Sequence, residues 1–152
     1  MMDLLPLLQS QFHDRVALRE RRPSVQQILI PMFHEDGDMV DLFVEQAPQP
    51  ELLRIFDAGM TLMRLSYALE SWTETRERVF KRVLAESGVC EDNGNLYIDV
   101  APGSLVPGVL QLAQTEARVA SMRLYRRDVV SGLFYELLAA FVEEQLSQYA
   151  PR

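Results

Sequence analysis

From Asp3 to about Glu20 the apolar residues Leu4, Leu5, Leu8, Phe12, Val16 and Leu18 recur at mainly three- and four-residue spacing. That period predicts an amphipathic helix. Pro6 falls in its first turn, where a missing N–H costs little, and Arg19, Arg21 and Arg22 gather at its end, where cations suit the helix dipole. Pro23 prevents continuation. The pattern then changes: Gln27 to Gln46 reads QILIPMFHEDGDMVDLFVEQ, two apolar runs around an acidic turn with Asp36-Gly37 at its centre. This predicts a β-hairpin with strands over Ile28–Phe33 and Met39–Gln46. Val40, Leu42 and Val44 alternate with Asp41, Phe43 and Glu45, as in a sheet covered on one face. Pro31 withholds a ladder donor and assigns its strand to a sheet edge or a bulge. Leu52 to Phe56, ending at Asp57-Ala58-Gly59, adds a third strand and completes an antiparallel meander.

Helical periodicity returns between Thr61 and Ser87, with Leu62, Leu65, Leu69 and Trp72 on one stripe and Val79, Phe80, Val83 and Leu84 on another. Ser71 and Thr73 are N-cap candidates that divide the segment into two helices, and Gly88 is the stop signal. Asn93-Gly94 between Val89–Glu91 and Leu96–Val100 marks a second, smaller hairpin. Ser104 begins a helix carrying Leu105, Val109, Leu112, Val119, Met122 and Leu124, which reaches about Tyr125, and Asp128 begins another from Val129 to Gln148. The fold class is α+β in a single domain over residues 1–152. Its element order is an N-terminal helix, a three-stranded antiparallel meander, middle helices, a small second hairpin and C-terminal helices.

Composition narrows the function classes. A chain of 152 residues that is 48% hydrophobic and 24% charged resembles an average globular domain, and at that size roughly 70% of the unfolded surface is buried. Cys90 is the single cysteine, which rules out an internal disulfide and a cysteine-rich zinc cluster and makes a cytoplasmic location the expectation. The first residues carry Asp3 where an export signal carries Lys or Arg, and no apolar run approaches the roughly 18 residues that cross a bilayer. A net charge of −7 disfavours attraction to phosphate backbones, so nucleic acid is an unlikely partner.

Candidate chemistry is sparse. Asp36, Asp38, Asp41 and Asp57 supply hard oxygen donors of the kind Mg²⁺ and Ca²⁺ take, yet the turn lacks the alternating acids and late glutamate of a calcium loop. A metal-dependent nuclease would also want a positioned lysine or histidine. Lys81 is the one lysine, four residues after Glu77 as in a surface ion pair, and His13 and His34 are the only histidines. Cys90 has no base beside it in sequence and reads as a structural thiol, and no Gly-x-Ser-x-Gly elbow or phosphate-cradling glycine loop is present. Arg118, Arg123, Arg126 and Arg127 form the one basic cluster, read as a solvated helix face. No catalytic residue, metal ligand or cofactor is assigned.

The last helix is more informative, because Leu133, Phe134, Leu137, Leu138, Phe141 and Tyr149 exceed what one small sheet covers. With Phe43 of the first hairpin, Leu133, Phe134, Leu137, Leu138 and Phe141 are the candidate partner-binding residues, and a homodimer is expected.

The runs ILIPMFHEDGDMVDLFVE, FDAGMTLMRL, GNLYIDV and QLAQTEARVASM resemble a bacterial and prophage-associated family known only as a domain of unknown function, and the resemblance covers about Gln9 to Met122. In that family an Asp-Asp-Gly turn precedes the first middle helix; here Asp57-Ala58-Gly59 stands in its place. The resemblance brings no activity with it. Separately, the element order, size and acidity look like the fold of type III secretion chaperones, which are dimeric binders of unfolded segments. The expectation is a non-enzymatic, cytoplasmic, dimeric protein-binding module, chaperone-like or adaptor-like, with a partner protein of unknown identity. The competing expectation is a metal-dependent nucleic-acid-processing enzyme, or an accessory domain of a phage-defence system, built on Asp36, Asp38, Asp41 and Asp57.

Overall fold

A computed structural model of the chain describes residues 4–124, 135, 137–139 and 141–143. Helix α1, Leu4–His13, is shorter than the periodicity predicts, and strands β1, Ala17–Arg22, and β2, Val25–Leu29, follow it. Residues 17–22 favour a helix by composition, but Pro23-Ser24 folds them back onto β2, with Arg22 opposite Val25 and Ser24 at φ 68°. Pairing with a neighbouring strand overrides that intrinsic preference.

Strands β3, Leu42–Gln46, and β4, Leu53–Phe56, continue the meander, which therefore has four strands rather than three. The predicted hairpin is present as the β2–β3 pair, Ile28 opposite Leu42 and Gln26 opposite Val44. Its first strand ends before Pro31. The residues beyond form a separate tip in which Phe33 bridges Met39, Met32 O accepts from Val40 N at 3.0 Å and His34 N donates to Asp38 O at 2.7 Å. Gly37 supplies the φ of 88° that closes the tip. Because β1 covers β2, neither hairpin strand lies at the sheet edge.

The two helices expected between Thr61 and Ser87 are α2, Met60–Ala68, and α3, Glu74–Ser87. Thr73 caps α3 by accepting from Arg76 N, and Gly88 ends it in the left-handed region at φ 62°. Strands β5, Cys90–Asp92, and β6, Asn95–Val100, form the second hairpin over Asn93 and Gly94, both at positive φ. A 3-10 turn at Pro102–Ser104 leads into helix α4, Leu105–Ala120, and a second 3-10 turn, Ser121–Leu124, follows.

The second hairpin joins the first sheet instead of standing apart. The order is β1-β2-β3-β4-β6-β5, with every neighbouring pair antiparallel. Helices α2 and α3 each pack against α4, and α4 crosses β4 and β6. A Cβ built on Gly108 of α4 would meet Val100 Cγ1 at 2.8 Å and Ile55 Cδ1 at 2.9 Å, so the helix rests on the sheet where a side chain is missing. Ile28, Leu42, Ile55 and Leu96 meet Leu65, Phe80, Leu84, Leu112, Val119 and Met122 in the core. The opposite sheet face carries the register row Gln27, Phe43, Phe56 and Tyr97. Beside that row Arg54 pairs with Asp99 at 2.7 Å and lies 4.0 Å over the Tyr97 ring.

Candidate functional site

Where β4 meets α2 the chain makes a tight turn, Asp57-Ala58-Gly59, with Ala58 at φ 55° and Gly59 at φ 78°. The Asp57 side chain is fully buried. Its Oδ1 accepts from Gly59 N at 2.9 Å and from Leu96 N at 2.8 Å, and its Oδ2 accepts from Thr61 N at 2.9 Å. One carboxylate thus satisfies two donors at the start of α2 and fastens that turn to β6. Asp57 is a structural cap, with its oxygens committed to backbone donors.

Below it lies an acid that sequence reasoning missed. Glu116 sits on α4 between Leu112 and Val119 and is 1% exposed. Both of its carboxyl oxygens lack a hydrogen-bond partner among the described residues, as do Thr61 Oγ1 and Arg64 Nε. Burial pushes its pKa up to about 9, and the charges of Asp57 and Asp41 push the same way, against the Arg64 charge. The side chain is therefore neutral at ordinary pH. Sequence carried one signal for it: the apolar stripe of α4, Val109, Leu112 and Val119, has an acid where the period calls for another apolar residue.

Arg64 on α2 organises the surface above. Its two terminal nitrogens reach Asp36 Oδ2 and Asp38 Oδ2, each at 2.7 Å, and its Nε lies 4.0 Å from Asp41 Oδ2. Asp36 also accepts from the backbone N–H of Asp38 at 3.0 Å. That hydrogen bond, with Arg64 beside it, holds the Asp36 carboxyl below its usual range. Burial raises Asp41, whereas burial and the Arg64 charge lower His34. Glu35 pairs with Arg123 of the second 3-10 turn. The acidic tip is thus tied to α2 and to the end of α4's chain by two arginines.

Between tip and helices lies a groove of about 400 Å³ with Met32, Phe33, Leu65, Ala117 and Ala120 among its apolar walls and His34, Arg64 and Arg123 at its rim. The structure brings Asp36, Asp38 and Asp41 together, but around a guanidinium that answers their charge. Asp57 is turned to the backbone instead. Among the described residues no group of three or more His, Cys, Asp or Glu is arranged to hold a metal ion.

The other sequence candidates scatter. Phe43 is half-buried on the face away from the helices, its ring 5.6 Å from that of Phe56. Leu137, Leu138 and Phe141 are helical and exposed, while Leu133, Phe134 and Tyr149 lie outside the described residues. Cys90 is exposed on the edge strand β5. Arg118 pairs with Glu86 at 2.8 Å and Lys81 with Glu77 at 3.0 Å, both surface ion pairs, while Arg126 and Arg127 also lie outside the described residues. No helix among the described residues is long and apolar enough to cross a membrane.

Sequence reasoning placed the surplus apolar surface at the chain's end and overlooked its beginning. Helix α1 has no buried residue. Leu4, Leu5, Leu7, Leu8 and Phe12 are all exposed, and so are Val16 and Leu18 as the chain enters β1. The same spacing that predicts the helix predicts its apolar face, yet a periodic stripe does not say whether the fold or another molecule covers it.

No curated protein and no solved structure matches the chain. A family model described as a domain of unknown function, DUF1828, matches residues 30–119. The matched region takes in the acidic tip, Asp57, Arg64 and Glu116, and begins after α1, β1 and β2. Covering more than half of the sequence, the match shows that the chain belongs to the DUF1828 family of domains of unknown function.

Proposed function

We propose that this chain is a non-catalytic protein-binding module, adaptor-like or chaperone-like, that works through exposed apolar helices and a sheet edge. The observation that carries this reading is α1: Leu4, Leu8 and Phe12 stand at four-residue spacing on a helix that buries none of them. An exposed stripe of large apolar residues costs free energy in water, at roughly 25 cal/mol for each Å² left uncovered. A protein segment laid along it removes that cost, in the manner of helix recognition by an apolar surface. The exposed Leu137, Leu138 and Phe141 add a second such surface. The polar cluster supports the non-catalytic side of the reading, since Asp57 is committed to backbone N–H groups and Asp36 and Asp38 to Arg64.

The test is the aggregation of reduced, unfolded α-lactalbumin followed by light scattering. The chain is expected to delay aggregation at stoichiometric ratio, and the double variant Leu8→Glu/Phe12→Glu to lose the effect while keeping its circular dichroism. Equal scattering with and without the wild-type chain would sink the proposal.

A further inference from the structure

The two edges of the sheet differ sharply. β5 is three residues long, whereas β1 has six, all exposed, and follows directly from α1. A long edge strand invites another strand, and charged side chains are the usual deterrent to indiscriminate pairing. β1 carries such charges at four of its six positions, Arg19, Glu20, Arg21 and Arg22, all of them after Leu18. Val16, Ala17 and Leu18 precede them, with Val16 50% and Leu18 61% exposed. We propose that β1 pairs antiparallel with β1 of a second copy of this chain about a two-fold axis at Leu18, joining two six-stranded sheets edge to edge. The proposal rests on the reading of the α1–β1 surface as protein-binding and names its partner.

The pleat restricts the choices. Side chains directly opposite each other in an antiparallel pair lie on the same face, and successive residues alternate faces, so a symmetric pairing of one strand with itself must place some residue opposite its own copy. An axis at Arg19 sets arginine against arginine, and an axis at Glu20 sets glutamate against glutamate, both destabilising. An axis at Ala17 puts Arg19 opposite Arg15. The axis at Leu18 avoids like charges over the paired stretch: Leu18 faces Leu18, Val16 faces Glu20 and Ala17 faces Arg19. On one face Val16 and Leu18 of both copies then form a continuous apolar patch closed at each end by Glu20. On the other, the Arg19 stem lies over Ala17.

The structure supplies a second reason for this register. β1 is regular against β2 from Ala17 to Glu20, and a bulge falls between Glu20 and Arg22. Pairing centred on Leu18 uses Ala17 to Glu20, together with Val16 just ahead of the strand, and stops before the bulge, whereas an axis at Arg19 or Glu20 runs across it. The bulge and the arginines beyond it act as a stop that defines one register.

Sedimentation velocity at tens of micromolar is expected to show a dimer. Leu18→Arg, a change at an exposed position, is expected to raise the dissociation constant by roughly tenfold or more through facing arginines, with unchanged circular dichroism. In a Cys90→Ser background, Leu18→Cys is expected to form an oxidised covalent dimer in high yield, because directly opposed strand residues lie within disulfide reach. Arg19→Cys, offset from its own copy, is expected to do so poorly. A monomeric wild type overturns the pairing, as does a dimer in which Leu18→Cys cross-links no better than Arg19→Cys. In either case suppression of α-lactalbumin aggregation still stands or falls by itself, so loss of the pairing and loss of the binding reading remain distinguishable.

Discussion

Glu116 concentrates the physical tension of this molecule in one side chain. An isolated buried carboxylate is so costly that it takes up a proton instead, and here the neighbouring Asp57 and Asp41 charges reinforce that choice. The folded pKa of about 9 lies far above the ordinary 4.5. The folded state therefore binds more protons between those values, and the stability associated with Glu116 is full below pH 4.5 and is lost as pH rises towards 9. Glu116→Gln keeps the shape and removes the protonation cost. It is expected to stabilise the chain at pH 7 by up to about 3 kcal/mol and to flatten the decline in stability towards alkaline pH. Urea unfolding from pH 5 to 9 measures both effects; parallel curves for the two proteins across that range would rule the account out. Asp57, equally buried, has three backbone donors on its two oxygens, whereas Glu116 has none among the described residues.

Among the elements, α4 and β1 show how neighbours override local tendency. Gly108 sits near the start of a sixteen-residue helix, where alanine would be the better helix former by about 1 kcal/mol. Yet a methyl group there meets Val100 Cγ1 at 2.8 Å and Ile55 Cδ1 at 2.9 Å. The Ile55 tip can swing aside, but the branched Val100 side chain has little freedom, so helix and sheet must separate. Gly108→Ala is expected to destabilise the fold by about 1–2 kcal/mol net, read as a lowered midpoint in thermal unfolding, and an increased midpoint would refute the close approach. The β2–β3 connection follows the same logic. Pro31 ends the first strand, and the tip beyond it depends on its own turn hydrogen bonds and on Arg64 and Arg123 rather than on the sheet. Exposed ion pairs of this kind are individually small in free energy, so they orient the tip more than they stabilise the fold.

For the molecule as a whole, the DUF1828 match begins at Ile30, and of the three elements before it only β2 contributes to the core. α1 buries none of its residues and β1 is exposed throughout. Removing residues 1–14 is therefore expected to change folding stability by less than about 1 kcal/mol, measured by denaturant unfolding at a concentration where the chain is monomeric. A larger loss would mean that α1 packs within the chain, and its apolar face would then need no partner. The same deletion should abolish suppression of α-lactalbumin aggregation, so that stability and binding separate.

Most elements were legible from local pattern. Asn93-Gly94, Thr73 and Gly88 mark their turn, cap and stop because backbone conformation and capping act over a few residues, and the apolar periods of α2, α3, α4 and β3 mark most of their buried faces, Trp72 and Val79 being exposed. The α+β class followed from these signals. Three matters did not: that residues 17–22 are a strand, that both hairpins share one sheet, and that Glu116, Arg64 and Asp57 gather at one seam. Each depends on which distant segments meet. Pairing with Val25–Leu29 turns a helix-favouring run into β1, β6 slips between β4 and β5, and packing of α4 against α2 carries an acid from an apolar stripe into the interior. Hydrogen-bond partners, dielectric surroundings and steric room arise only from that assembly, and no local period encodes them.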